Sequence, residues 1–89
     1  MNIQINIKRI QDMEIYLDEM LKISDISLLY NDEDLKTKVK LLIDYLESGK
    51  WLEDYQLDEQ NQFPLDLKRG VLSQDTLYNF LENIDVSKL

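Results

Sequence analysis

The chain has 89 residues, and its ten basic and eighteen acidic side chains give a net charge of −8. It contains no cysteine and no histidine, which excludes disulfides, thiolate sites and the usual zinc and acid–base chemistry. The length predicts one small domain, residues 1–89, and we expect neither an enzyme nor a bound cofactor.

The charge balance also bears on the partners. An acidic chain is disfavoured as a direct ligand of nucleic-acid phosphates, and of an anionic membrane surface for the same reason. No apolar run approaches the ~18 residues that a membrane span requires, and the first ten residues lack a signal-peptide pattern. We therefore expect a cytoplasmic protein that contacts neither nucleic acid nor membrane.

The first predicted element is an amphipathic helix that begins between Ile3 and Asn6 and extends as far as Leu29. Its apolar residues recur with heptad-like spacing. About 25 residues at ~1.5 Å each span ~38 Å, more than the ~30 Å diameter of a small domain. The helix must therefore break, protrude or find a partner. Ser and Asp side chains at residues 24–27 offer competing hydrogen bonds to the backbone, which favours a break there.

A second set of apolar residues on this helix lies away from the core stripe. A two-fold dimer formed through the helical hairpin would bury it, since one patch would then serve both copies. Alternatively, the apolar loop further along the chain folds back over the same face and leaves a monomer. The candidate self-association residues are Ile5, Ile15, Tyr16, Ile23 and Ile26.

The second predicted helix begins after Asn31 or Asp32, either of which can cap it, and ends at Gly49, a residue suited to a left-handed stop. Between them, apolar residues from Leu35 to Leu46 recur at helical spacing. The short connection to the first helix predicts an antiparallel helical hairpin.

The stretch Trp51–Ser73 keeps many apolar residues without a helical or alternating period, which predicts an ordered loop lying on the flanking helices. A short helix over Lys50–Leu57 opens it. Pro64 at a first helical position and Gly70 as a left-handed stop predict one helical turn between them. Ser73 then caps a last amphipathic helix that packs on the loop. The predicted fold class is all-α.

Three clusters in this stretch are candidate partner-binding residues. The first cluster is four carboxylates with no basic residue among them. They indicate a solvated acidic face, or alternatively an acidic patch that faces a partner. These residues are Glu53, Asp54, Asp58 and Glu59. The basic pair, Lys68 and Arg69, either pairs with a carboxylate of this chain or binds a carboxylate or phosphate of a partner. The Trp/Tyr cluster is either buried, as we expect for Trp51, or a binding hot spot. The candidate set is Trp51, Glu53, Asp54, Tyr55, Asp58, Glu59, Lys68 and Arg69.

Three groups of residues resemble a known family. They are Arg9, Ile10, Met13 and Glu14; then Asp44, Tyr45, Ser48, Trp51 and Asp54; then the run Asp66–Ser73 followed by Asp75, Leu77 and Tyr78. Over about Lys8 to Leu81 this pattern resembles the short bacterial proteins of domain-of-unknown-function family 4298, with the run from Asp66 as its most specific part. The resemblance implies a helical, cytoplasmic bacterial protein and brings no catalytic residues.

These observations favour an interaction or structural module that works by contact with another protein, either an unidentified partner or a second copy of this chain as a homodimer. The alternative is an acidic decoy that imitates a nucleic-acid backbone and occupies a basic channel of its partner. The even spread of acidic residues along the chain weakens the decoy hypothesis, because a mimic needs rows of acids at roughly phosphate spacing.

Overall fold

The computed structural model describes residues 3–89, and every regular element in that range is helical. Four α-helices, Gln4–Leu21 (α1), Glu33–Glu47 (α2), Lys50–Glu59 (α3) and Gln74–Glu82 (α4), are joined by turns. Short 3₁₀ helices cover Ile26–Asn31, Gly70–Leu72 and Val86–Lys88. The all-α prediction is confirmed.

α1 is shorter than the longest span that the sequence allows. It ends at Leu21, and the chain resumes as a 3₁₀ helix at Ile26. The side chain of Asp25 accepts a hydrogen bond from the Ser27 backbone N–H at 3.0 Å, which is the competing interaction expected of such residues. The break is therefore confirmed near its predicted position, and the continuous helix to Leu29 is wrong.

The first two α-helices form the predicted antiparallel hairpin. At one end, Lys38 Nζ of α2 lies 2.7 Å from Oε2 of Glu19, a residue near the end of α1. At the other end, Arg9 of α1 and Tyr45 of α2 bond the same carboxylate, that of Asp54. The end of one helix thus faces the start of the other, as a short connection requires.

Local signals explain where α2 and α3 begin and end. The Asp32 carboxylate accepts bonds from the backbone N–H groups of Asp34 and Leu35 and so caps α2. Gly49, at φ 88°, lies between the two helices in the left-handed conformation. After α3, Asn61 adopts a φ of 58°, and this left-handed residue closes the helix in the usual carboxyl-terminal manner.

The segment between α3 and α4 differs from its prediction. Residues 64–69 form turns and no helix, and Gly70 opens the 3₁₀ helix Gly70–Leu72 without a positive φ. The predicted left-handed stop at Gly70 is therefore wrong. A Cβ at this position would lie 2.8 Å from Glu14 Oε1, so any larger residue would require the Glu14 carboxylate to shift. Ser73 does precede α4, although its side chain makes no capping bond.

One apolar core joins all four α-helices and the segments between them. Tyr45 and Trp51 bring the largest rings into it, and Leu29 reaches it from the first 3₁₀ helix. The buried apolar residues are Ile10, Leu17, Met20, Leu29, Val39, Leu42, Tyr45, Trp51, Leu57, Phe63, Val71, Leu72, Leu77, Phe80 and Ile84. None of the helices within residues 3–89 is both long and apolar enough to cross a bilayer.

Candidate functional site

The four carboxylates predicted to form a solvated face do not share one environment. Glu53 and Glu59 are exposed, while Asp58 is half-buried and pairs with Arg69. Asp54 is fully buried, at 0% exposure. The surface interpretation is therefore wrong for Asp54, whose carboxylate cannot touch a partner while the fold is closed.

Asp54 is the acceptor for three side chains from two other helices. Asn6 Nδ2 donates to its Oδ1 at 2.8 Å, and Tyr45 Oη donates to its Oδ2 at 2.7 Å. Arg9 donates to both oxygens, from Nη2 at 2.6 Å and from Nε at 3.0 Å. Both carboxylate oxygens are thus doubly satisfied, as a buried charge requires. We call these four residues the Asp54 network; it ties α1, α2 and α3 together.

The network has clear electrostatic consequences. The hydrogen bond to Asp54 raises the pKa of the Arg9 guanidinium above its usual value, with Glu53 contributing on the exposed side. Burial, reinforced by the hydrogen bond to Asp54, raises the pKa of the Tyr45 phenol. Both shifts favour the forms that already bond the carboxylate. The network therefore acts as a structural cross-link between α1, α2 and α3.

A second cross-link holds the 3₁₀ helix Gly70–Leu72. The Val71 backbone N–H donates to Glu14 Oε2 at 2.7 Å, and Trp51 Nε1 donates to the Val71 carbonyl at 3.0 Å. Trp51 stacks on Tyr55, with ring centroids 5.0 Å apart. Its predicted burial is confirmed, at 5% exposure, so it is unavailable as an exposed hot spot. We call these two hydrogen bonds the Val71 anchor.

The basic pair divides between the two roles that the sequence left open. Arg69 donates to Asp58 and to the backbone carbonyls of Pro64 and Leu67, so it is the internal clamp. Its neighbour Lys68 is exposed and has no ion pair among the described residues. Of this pair, only Lys68 is free to meet a partner.

A groove of about 470 Å³ lies between α1 and the turns held by this clamp. We call it the α1 groove. Ile7, Ile15 and Leu67 give it apolar walls. Leu65 lies between two lining residues, Pro64 and Asp66, but points into solvent with 98% of its side chain exposed. An apolar knob therefore stands beside an apolar groove.

The charges around the α1 groove are of both signs. Lys8 and Asp12 pair with each other across one turn of α1 at 2.6 Å. Asp18, Asp66 and Lys68 also line it and have no ion pair among residues 3–89. No cluster of His, Cys, Asp or Glu in the described chain is arranged to hold a metal ion. The groove thus offers apolar contact with mixed-sign charges at its rim.

The residues predicted for self-association are not brought together as one face. Ile5 and Ile15 are exposed, at 67% and 55%, and Ile15 lines the groove. Tyr16 and Ile23 are half-buried against the core, and Ile26 is 38% exposed on the 3₁₀ helix that follows. Tyr16 and Ile23 therefore lie at the periphery of the core, because the chain turns after α1 ends at Leu21 and both side chains pack against the core.

Leu65 is the functional candidate that the sequence reasoning missed. Its Leu-x-Leu spacing with Leu67 gave no reason to separate one from the other. In the structure Leu67 is half-buried while Leu65 is exposed. The available signal was the position of Leu65 directly after the lone proline, because a tight turn there cannot bury both Leu65 and Leu67.

The family comparison agrees with the resemblance in the sequence. A family model described as Domain of unknown function (DUF4298) matches residues 10–87. The chain belongs to this family. No match was found among curated proteins or among solved structures. Of the residues that carry the resemblance, Tyr45, Trp51, Asp54 and Gly70 belong to the two cross-links or lie beside them in this DUF4298 protein. They join helices and turns of this protein, and the description of the family states no activity.

Proposed function

We propose that this DUF4298 protein is a protein–protein interaction module that pairs with a second copy of itself through the α1 groove. The observation that carries the proposal is the 98% exposure of Leu65 beside a groove with apolar walls. Burying one exposed leucine contributes about 1.5–3 kcal/mol, and a dimer would bury two.

Symmetry explains why a second copy fits. In a two-fold dimer the same patch serves both chains. Leu65 of one copy enters the groove of the other, between Ile7 and Ile15, while the second Leu65 does the same in return. A knob and a groove on one patch are self-complementary in this sense, whereas a patch with only one of them is not.

The rim charges support the same pairing. Lys68 of one copy can meet Asp18 or Asp66 of the other, and all three lack an ion pair among the described residues. Exposed pairs of this kind contribute little affinity, about 0–1 kcal/mol each. They select the register of the two chains, while the apolar contact provides most of the binding free energy.

The acidic-decoy alternative receives less support from the arrangement of charges. Several carboxylates are engaged within the chain: Asp54 is buried, Asp58 pairs with Arg69, and Glu19 pairs with Lys38. They are therefore withdrawn from any regular row of exposed acids. A cytoplasmic location is part of the main proposal, and fractionation of cells that carry the native protein checks it.

Light scattering at tens of micromolar tests the dimer, with two matched variants. Leu65→Asp places a charge on the knob. Leu52→Asp places the same charge on a leucine of α3 that is 51% exposed and does not line the α1 groove. We expect the mass of two chains for the parent and for Leu52→Asp, and the mass of one chain for Leu65→Asp.

Two results would count against this proposal. A parent mass of one chain across the whole concentration range excludes the dimer. A dimer that persists in both Leu65→Asp and Ile15→Asp exists but uses another surface. Ile23→Asp is a poor test, because Ile23 packs against the core and its substitution would unfold the chain locally.

A further inference from the structure

A second apolar groove lies on the opposite arm of the hairpin, between α2, α4 and the 3₁₀ helix Val86–Lys88. Two adjoining cavities, of about 290 and 220 Å³, share Ile43, Glu47 and Val86 as lining residues. We call this surface the carboxyl-terminal groove. Leu46 and Leu81 complete its floor, and none of these residues lines the α1 groove.

Part of this apolar surface is uncovered. Val86 is 66% exposed and Tyr78 is 46% exposed, while Ile43, Leu46 and Leu81 are only half-buried. Contiguous exposed apolar residues with a polar rim are typical of a contact surface for another molecule. An aromatic ring at its edge is the residue type most enriched at binding hot spots.

The rim of the groove is acidic. Asp44, Glu47 and Glu82 line it, and none of them has an ion pair among residues 3–89. Lys40 is the one cation among the lining residues. The rim thus carries three carboxylates against one ammonium, within a chain of net charge −8. A cationic partner is complementary to it, whereas a second copy of this chain would bring more negative charge.

The length of the groove is compatible with a bound helix. Its lining residues on α2 run from Lys40 to Glu47, which is about 10 Å along the helix axis at ~1.5 Å per residue. That length accommodates roughly two turns of a partner helix, whose apolar residues at i, i+3 or i+4, and i+7 would enter the groove. Basic residues flanking those positions would meet the acidic rim.

We infer that the carboxyl-terminal groove binds a cationic amphipathic helix of a partner protein. This inference is independent of the proposed dimer, since the two grooves share no lining residue. One molecule could therefore pair through α1 and hold a basic helix on its other side.

The probe for the test is a fluorescein-labelled Leu/Lys peptide of about 18 residues, with leucines spaced to form one apolar helix face. A peptide of identical composition in scrambled order is the control, because it keeps the charge and loses the apolar face. Fluorescence anisotropy at about 0.15 M salt limits long-range attraction. We expect the amphipathic peptide to bind at least tenfold more tightly than the scrambled one.

Matched protein variants locate the site. Glu47→Lys reverses a rim charge, and Glu59→Lys makes the same change at the end of α3, outside both grooves. Val86→Ser removes an apolar contact, with Leu52→Ser as its control. We expect Glu47→Lys and Val86→Ser each to weaken peptide binding at least fivefold, and both controls to change it less than twofold.

Each other outcome overturns the inference. Equal losses for Glu47→Lys and Glu59→Lys, or equal affinity for the scrambled peptide, would show unspecific attraction to net charge. Amide shifts in NMR spectra that map to the α1 groove would place the peptide there. If Val86→Ser abolishes a dimer while the peptide does not bind the parent protein, the occupant is a second copy of the chain.

Discussion

Glu53 and Asp54 are neighbours in sequence and bond the same guanidinium, yet their surroundings are opposite. Glu53 Oε2 lies 3.0 Å from Arg9 Nη2, and 53% of the Glu53 side chain is exposed. Asp54 Oδ1 lies 2.6 Å from the same nitrogen, and the Asp54 side chain is fully buried. An exposed ion pair contributes little because water screens it. When a buried ion pair is broken, the remaining charge is uncompensated and its hydrogen-bond donors have no acceptor.

Asp54→Asn should therefore lower the free energy of unfolding by about 3 kcal/mol. The amide group would place its own donors against those of Asn6, Arg9 and Tyr45. Glu53→Gln, which removes the exposed half of the same interaction, should cost less than ~1 kcal/mol. Urea unfolding of both variants measures the difference, and equal effects would show that burial of the carboxylate is unimportant.

Tyr45 makes the network sensitive to alkaline pH. Its pKa is raised in the folded chain, chiefly by burial and then by the bond to Asp54, so the folded state binds this proton more tightly than the unfolded state. The resulting stabilisation is present below the unfolded pKa of about 10 and is lost as the pH rises towards the folded pKa.

Absorbance titration of tyrosinate tests this. One of the five tyrosines should ionise last, in step with unfolding, and that final step should be absent from Tyr45→Phe. The free energy of unfolding of the parent should fall above a pH of about 10. A Tyr45→Phe protein that keeps the last ionisation step would assign it to another phenol.

At the scale of elements, the 3₁₀ helix Gly70–Leu72 is held in part by side chains of other helices. Glu14 of α1 and Trp51 of α3 bond the two backbone groups of Val71. Three residues in a 3₁₀ turn form few bonds of their own. The Val71 anchor thus fixes the turns that follow α3, and with them one wall of the α1 groove.

The two glycines of the chain should respond differently to alanine. At Gly49, with φ 88° and no atom within 4 Å of the added Cβ, the cost is backbone strain of about 1 kcal/mol. At Gly70 the added Cβ would instead displace the Glu14 carboxylate from the Val71 N–H. We expect a cost of about 1 kcal/mol here too, for this other reason.

A double-mutant cycle separates the two causes. In a Glu14→Ala background, Gly70→Ala should cost much less than in the parent protein, because the side chain that the Cβ meets is gone. Gly49→Ala should cost the same in both backgrounds. Additive effects at Gly70 would mean that the glycine is needed for its backbone conformation after all.

For the whole molecule, net charge and apolar contact act against each other. A charge of −8 on each copy opposes the proposed dimer, while burial of Leu65 and the α1 groove favours it. Salt weakens the repulsion, since the Debye length falls from about 30 Å at 0.01 M to about 10 Å at 0.1 M. Apolar contact is much less sensitive to salt over this range.

The dimer should therefore strengthen as salt rises from about 0.01 M to about 0.1 M, and sedimentation at both concentrations measures it. Binding to a basic partner, as in the decoy alternative, should weaken over the same range. Leu52→Asp, which adds one charge outside the grooves, should be more sensitive to salt than the parent protein. A dimer that weakens with salt would show that ion pairs hold it together.

The sequence alone determined the features that depend on near neighbours. The sequence narrowed the cap of α2 to Asn31 or Asp32, and it predicted the left-handed stop at Gly49 and the break of the first helix at 24–27, because each of these signals acts on backbone groups within a few residues. The all-α class followed from the helical spacing of apolar residues, and the family from a resemblance that extends over most of the chain.

Only the tertiary structure decided what each side chain does across the fold. Arg9 and Asp54 are 45 residues apart in sequence, and Glu14 and Val71 are 57 apart. No local pattern reveals such partners, so the burial of Asp54 and the closeness of Gly70 to Glu14 could not be derived from the sequence. Leu65 is exposed for the complementary reason: burial depends on which distant elements cover a residue, and among the described residues none covers this one.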